Sequence, residues 1–118
     1  MANEKNTDCQ SSRPYRLENT IQNYAWGTQN QDAYIPELLG ITPEAGQAYA
    51  ELWVGVHPNA PSSIIDLEKG PISLSTWISE RSRERLSMDG KQSALPYLLK
   101  VLSAGEALSI QAHPDKIQ

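Results

Sequence analysis

No phenylalanine occurs among the 118 residues, and the large aromatic side chains are 3 Trp and 5 Tyr. Each of these rings carries a polar tip that needs a partner when buried, so the chain can build one thin core, enclosing roughly 60–70% of its unfolded surface. Cysteine falls to a single residue, Cys9. An intrachain disulfide is thereby excluded, a reducing compartment is expected, and Cys9 reads as inert in its polar surroundings. No stretch of eighteen apolar residues is present, so no transmembrane helix is expected. Basic runs are missing too, and the formal net charge is -4, which argues against nucleic acid or an anionic membrane surface as partner. A small anion remains compatible, since a few placed cations decide that locally. The leader MANEKNTDCQSSRP, residues 1–14, lacks both an apolar core and an Arg-rich amphipathic pattern. It is expected to be a disordered polar segment, neither secretory signal nor transit peptide, and the chain to be cytoplasmic.

What is present is a series of short strand-like stretches with one or two helices. Tyr15 to Asn23 alternates weakly and reads as a strand ending near Trp26 and the turn residue Gly27. Asp32 to Leu39 reads as a short helix with Asp32 as cap, Pro36 in its first turn and Gly40 as stop. Residues Thr42 to Gly46 form a loop. Tyr49 to Val54 alternates, placing Tyr49, Glu51 and Trp53 on one face, where Glu51 is read first as a solvated carboxylate and otherwise as a group that orients pocket donors. His57, between prolines, reads as a surface imidazole on a loop. Ser62 to Leu67 suits a short strand and Glu68 to Pro71 a turn. Ser73 to Met88 is the most regular helical pattern, with Ser73 as cap and its charges on a solvated face. The architecture implied is mainly β, a sandwich or jelly roll with helical decorations.

The richest chemistry lies in Leu95 to Asp115, LPYLLKVLSAGEALSIQAHPD. Ala107, Ser109, Gln111 and His113 alternate with Leu108, Ile110 and Ala112. With Tyr97 to Leu102 as a preceding strand and Ser103 to Glu106 as the turn, the stretch reads as a hairpin, with Lys100 opposite Ser109 and Leu98 opposite Gln111. Gln111 and His113 would then share one side of a strand, roughly 6–7 Å apart at Cβ, a spacing two metal donors can use. Any exposed strand shows the same alternation, and Q-x-H alone is a weak metal signature.

LPYLLKVLSAGEALSIQAHPDK resembles the signature segment of the type I mannose-6-phosphate isomerases, the zinc-dependent phosphomannose isomerases. QNYAWG at Gln22 to Gly27 and AELWVGVHP at Ala50 to Pro58 resemble further family motifs in the same order. The likeness covers Tyr15 to Lys116. It implies that residues 15–118 are the N-terminal part of a cupin-type jelly-roll catalytic domain. It further implies an aldose-ketose isomerase interconverting mannose 6-phosphate and fructose 6-phosphate through an enediol, supplying mannose for GDP-mannose. Carried over by position, Gln111 and His113 would ligate Zn2+, while Trp26, Lys100 and Ser109 would line the sugar-phosphate pocket. The resemblance also implies that a glutamate and a second histidine completing the metal site lie beyond Gln118, as does the proton-transfer group, so this chain alone is expected to be inactive. The rival reading is a non-enzymatic cupin-like module that binds a sugar phosphate or a metal.

Overall fold

The computed structural model describes residues 13–85, 95–110 and 112. In chain order the elements are β1 (Leu17–Glu18), β2 (Thr20–Gln22), β3 (Thr28–Gln29), a 3-10 turn (Asn30–Asp32), α1 (Tyr34–Leu39), β4 (Ala48–Tyr49), β5 (Glu51–Val54), β6 (Ser63–Ile64), β7 (Ile72–Ser73), α2 (Leu74–Arg85) and β8 (Leu99–Leu102). The strands form sheets of order β1-β6-β7, β2-β5-β8 and β3-β4. The chain divides into two compact units, with boundaries after residues 20, 51 and 100. The expected leader, up to residue 12, lies outside the described residues, as do residues 86–88 at the end of the expected second helix.

In the unit holding residues 13–20 and 52–100, the central strand β6 pairs antiparallel on both sides. Leu17 faces Ile64 across β1, and Ile64 faces Ile72 across β7. Ile64 is thereby sealed, together with Leu52, Trp53 and Ala60. Ser62, fully buried, is the polar node. Its hydroxyl donates to Asn19 Oδ1 at 2.7 Å and accepts from the Gly55 amide at 3.0 Å. Its carbonyl accepts from Leu74 N–H at 2.8 Å, satisfying an amide that the first turn of α2 leaves without an intrahelical partner. Ser73 does precede the helix, but its hydroxyl bonds that of Ser75 at 2.8 Å. Ser62→Ala would strand both the Gly55 donor and the Asn19 acceptor. A loss of about 1–3 kcal/mol is expected, read as a lower urea midpoint at unchanged m-value; an unmoved midpoint would show that water replaces the hydroxyl without penalty.

Outside this node the same unit carries an alternation of cations and rings. The Arg13 guanidinium lies 4.2 Å from the Tyr15 ring centroid. Tyr15 meets Trp77 edge-on at 5.1 Å, and Arg81, one turn later on α2, covers Trp77 at 4.2 Å. Arg13 also pairs with Asp66 at 3.0 Å. Partial loss of solvent opposes ionisation of Asp66. The hydrogen bonds from Arg13 and the Arg16 backbone, with the Arg13 charge, outweigh it and hold the carboxyl below its usual range. The pair sits near the surface, so its contribution to stability is small and is lost as pH falls through that lowered value.

In the unit holding residues 21–51 and 101–112, β3 and β4 pair with Thr28 opposite Tyr49. Ile35, Pro36, Ala48, Tyr49 and Ala50 are buried. The helix expected over Asp32 to Leu39 splits into the 3-10 turn and α1. Ala33 rather than Asp32 precedes α1, with no side-chain cap. The stop is as expected: Gly40 takes the left-handed conformation, φ 68°, while Ile41 N–H reaches Pro36 O at 2.9 Å, closing the end of the helix. Asn30 is also left-handed, φ 54°, and its Oδ1 accepts from Gly46 N–H at 3.0 Å, tying two loops together.

Two expectations are corrected here. Residues 107–110 are not a strand, so among the described residues no hairpin follows β8. The Ser103 amide donates to Ala50 O at 2.8 Å and the Gly105 amide to Trp26 O at 2.7 Å, and Ala104 bridges Gly27. Backbone groups that a hairpin turn would leave for its own return strand are thus spent on distant segments. Glu51, expected to be solvated, is buried at 8% exposure, because both faces of β5 are covered.

Candidate functional site

Trp26 is placed by the residue after it. Gly27 has no side chain to collide with Tyr49 and Ala50, so residues 26–28 run tight against 48–50 on one side and 103–105 on the other. Thr28 N–H donates to Ser103 O at 3.2 Å, and the two hydroxyls of Thr28 and Ser103 lie 2.6 Å apart. The half-buried indole packs tilted against Tyr24 at 5.9 Å and lines an open cleft of about 440 Å³ with Thr28, Gln29, Asn30, Asp32 and Glu106. An apolar ring face among amides and two carboxylates suits a polyhydroxylated ligand: the ring takes C–H surface and the polar groups take hydroxyls. The two carboxylates disfavour an anion at this end.

Lys100 belongs to β8. Its Nζ stands 4.7 Å from the centroid of the Trp53 ring, and Trp53 meets His57 edge-on at 4.9 Å. His57, read from sequence as a surface group, is half-buried, and its Nδ1 accepts from Asn59 N–H at 3.2 Å. Ser109 is exposed, and since 107–110 is not a strand it does not pair with Lys100 across a hairpin. Gln111 and His113 lie outside the described residues. Among the described residues no group of three His, Cys, Asp or Glu is arranged to hold a metal. Sequence reading missed two contributors: Asp32, taken as a helix cap, and Glu106, taken as a turn residue. Asp32 stands six residues after Trp26 and Glu106 eighty after it, and neither spacing carries a local signal of shared lining.

Comparison with known proteins decides the family. The model of the type I phosphomannose isomerase catalytic domain matches residues 15–118. The chain belongs to the type I phosphomannose isomerase family. The mannose-6-phosphate isomerase of Bos taurus is 36% identical over 116 residues, covering 90% of this chain and 27% of its own length. That of Salmonella typhimurium is 39% identical over 103 residues, covering 86% and 26%. Among solved structures, a zinc-bound mannose 6-phosphate isomerase is 38% identical with a TM-score of 0.70. A histidine-to-glutamine variant of the Salmonella typhimurium phosphomannose isomerase is 36% identical with a TM-score of 0.66. Each covers 86% of this chain and 26% of its own. The chain therefore spans about a quarter of the length of the relatives it matches. Its fold is the mainly β, cupin-type portion with two helices that the sequence implied. Among the described residues no helix is long and apolar enough to cross a membrane.

Proposed function

We propose that residues 15–118 are part of the catalytic domain of a cytoplasmic, zinc-dependent mannose-6-phosphate isomerase. The single observation that carries this reading is the family match over residues 15–118. Its relatives are named for that isomerisation.

Interconverting an aldose and a ketose phosphate moves a proton between neighbouring carbons and develops negative charge on oxygen. In this reading Trp26 packs against the sugar, and the acidic lining of its cleft keeps the dianionic phosphate away from that end. Lys100 and Ser109 hold the phosphate, whose binding energy fixes the reacting carbons. Gln111 and His113 offer an amide oxygen and an imidazole nitrogen. Both are donors a zinc ion accepts, yet they fill only two of its usual four positions. The residues present thus fit part of a zinc site. When bound, the ion would supply Lewis-acid stabilisation of the developing oxygen charge. No described residue is assigned the proton transfer.

With mannose 6-phosphate and zinc, the 118-residue chain is expected to show no turnover above buffer in a coupled assay. Grafted in place of the matching segment of the Salmonella typhimurium enzyme, it is expected to support turnover that Gln111→Ala and His113→Ala abolish. Activity of the isolated chain would overturn the incomplete-site reading. An active graft indifferent to both substitutions would overturn the metal assignment.

A further inference from the structure

We propose that Trp53 is a positioning residue for the Lys100 ammonium, holding it by its ring face so that it is presented to an anionic group of the ligand. This rests on the reading above that Lys100 contacts the phosphate of a sugar phosphate, and it adds a residue to which that reading gives no part.

The argument starts from the contrast between the two side chains. Lys100 is exposed, whereas Trp53 is buried to 9% exposure. A lysine at the surface ordinarily samples many rotamers, and ordering it on ligand binding costs side-chain entropy. With Nζ 4.7 Å from the indole centroid, the ammonium lies within the range where the ring quadrupole attracts a cation. The ring is itself held from a second direction: His57 abuts it edge-on at 4.9 Å, and His57 is fixed in turn by the Asn59 amide at 3.2 Å. The order is therefore loop 57–59, then imidazole, then indole, then ammonium. A hydrogen-bonded turn thus restrains a charge 43 residues away in sequence. Lysine presents its charge as a compact point with rotatable donors, so a weak attraction from a fixed ring restricts it without taking up its hydrogen-bonding capacity. An ammonium restricted in this way loses less entropy when an anion arrives, which is the general benefit of preorganisation.

Three measurements on the full chain test this. First, in the unsubstituted protein the Lys100 Cε protons are expected to resonate upfield of those of Lys69, an exposed turn lysine, through the indole ring current. Coincident shifts would overturn the proposal without any variant. Second, acylation by an N-hydroxysuccinimide ester, followed by mass spectrometry, is expected to be about 2- to 5-fold faster at Lys100 in Trp53→Leu than in the parent, the factor matching an exposed cation–π contact. Lys69 should be unchanged, and Trp53→Phe should restore the parent rate. Because Trp53 is buried, Trp53→Leu is read only where its circular dichroism matches the parent; otherwise Trp53→Phe against Lys69 and the proton shifts decide. An unchanged Lys100 rate, or one that rises equally at Lys69, overturns the proposal. Third, mannose 6-phosphate, but not mannose, is expected to protect Lys100 in the parent and to protect it less in Trp53→Leu. If the sugar phosphate protects in neither protein while the first two results hold, the phosphate role of Lys100 fails and the hold of Trp53 on it stands.

Discussion

Gly27→Ala is expected to be the most damaging single-methyl change in this chain. A Cβ at residue 27 would lie 2.5 Å from the Tyr49 carbonyl carbon, 2.6 Å from the Ala50 nitrogen and 2.7 Å from the Tyr49 oxygen. All three are backbone atoms, so no rotamer change relieves the overlap. The obstructing segment is itself held by the Thr28–Tyr49 pairing and by Ala50 N–H to Gln22 O at 2.9 Å. Moving it breaks those bonds, and moving residue 27 the other way drives it into 103–105. Overpacking ordinarily costs about 1–3 kcal/mol, and an unyielding backbone puts this case at or above the upper end. The expected result is a large drop in the urea midpoint with an altered near-ultraviolet spectrum from Trp26, which the displaced backbone carries. A variant within about 0.5 kcal/mol of the parent, the range of an ordinary surface substitution, would show that the close approach of these segments is not as described.

The second large effect is expected at Ile64, 1% exposed in the strand between β1 and β7. Truncation to alanine removes three carbon atoms from a site enclosed by Leu17 and Ile72 on its two flanks. The lost transfer energy and the residual cavity together amount to about 2–5 kcal/mol for such a change. In a chain with so thin a core this is a large part of the total stability. Thermal unfolding should show a lower midpoint, whereas Ile64→Val, which deletes one methylene, should lose about 0.5–1.5 kcal/mol. Equal losses in the two variants would mean that Ile64 is not enclosed on the side its extra atoms occupy.

Local signals in the sequence carried the elements whose causes are local. Gly40 marked the end of α1 because only a left-handed residue closes a helix that way cheaply, and the TPEAG loop followed from its composition. Leu74 began a helix where the pattern placed it. The failures share one cause. The alternation over 107–113 said which residues would share a face if a strand formed, but over the described 107–110 none forms: a strand needs a partner, and the amides of Ser103 and Gly105 had partners 53 and 79 residues away. Glu51 sat on a face judged by period alone, and period two does not say whether a second layer lies over that face. The family was legible from three motifs in order, yet the lining of the cleft at Trp26 was not. Asp32 and Glu106 come from segments that only the folded backbone brings to one cavity.

The hydrogen bond from Asn59 to His57 has a bearing on any metal chemistry of the chain. An imidazole nitrogen that accepts from a backbone amide carries its lone pair there, so in the neutral ring the hydrogen resides on Nε2 and the tautomer is set. Neither nitrogen of His57 then offers a vacant donor electron pair to a cation without first surrendering that bond. Of the 2 His in the chain, this leaves His113 as the imidazole on which the proposed metal site draws.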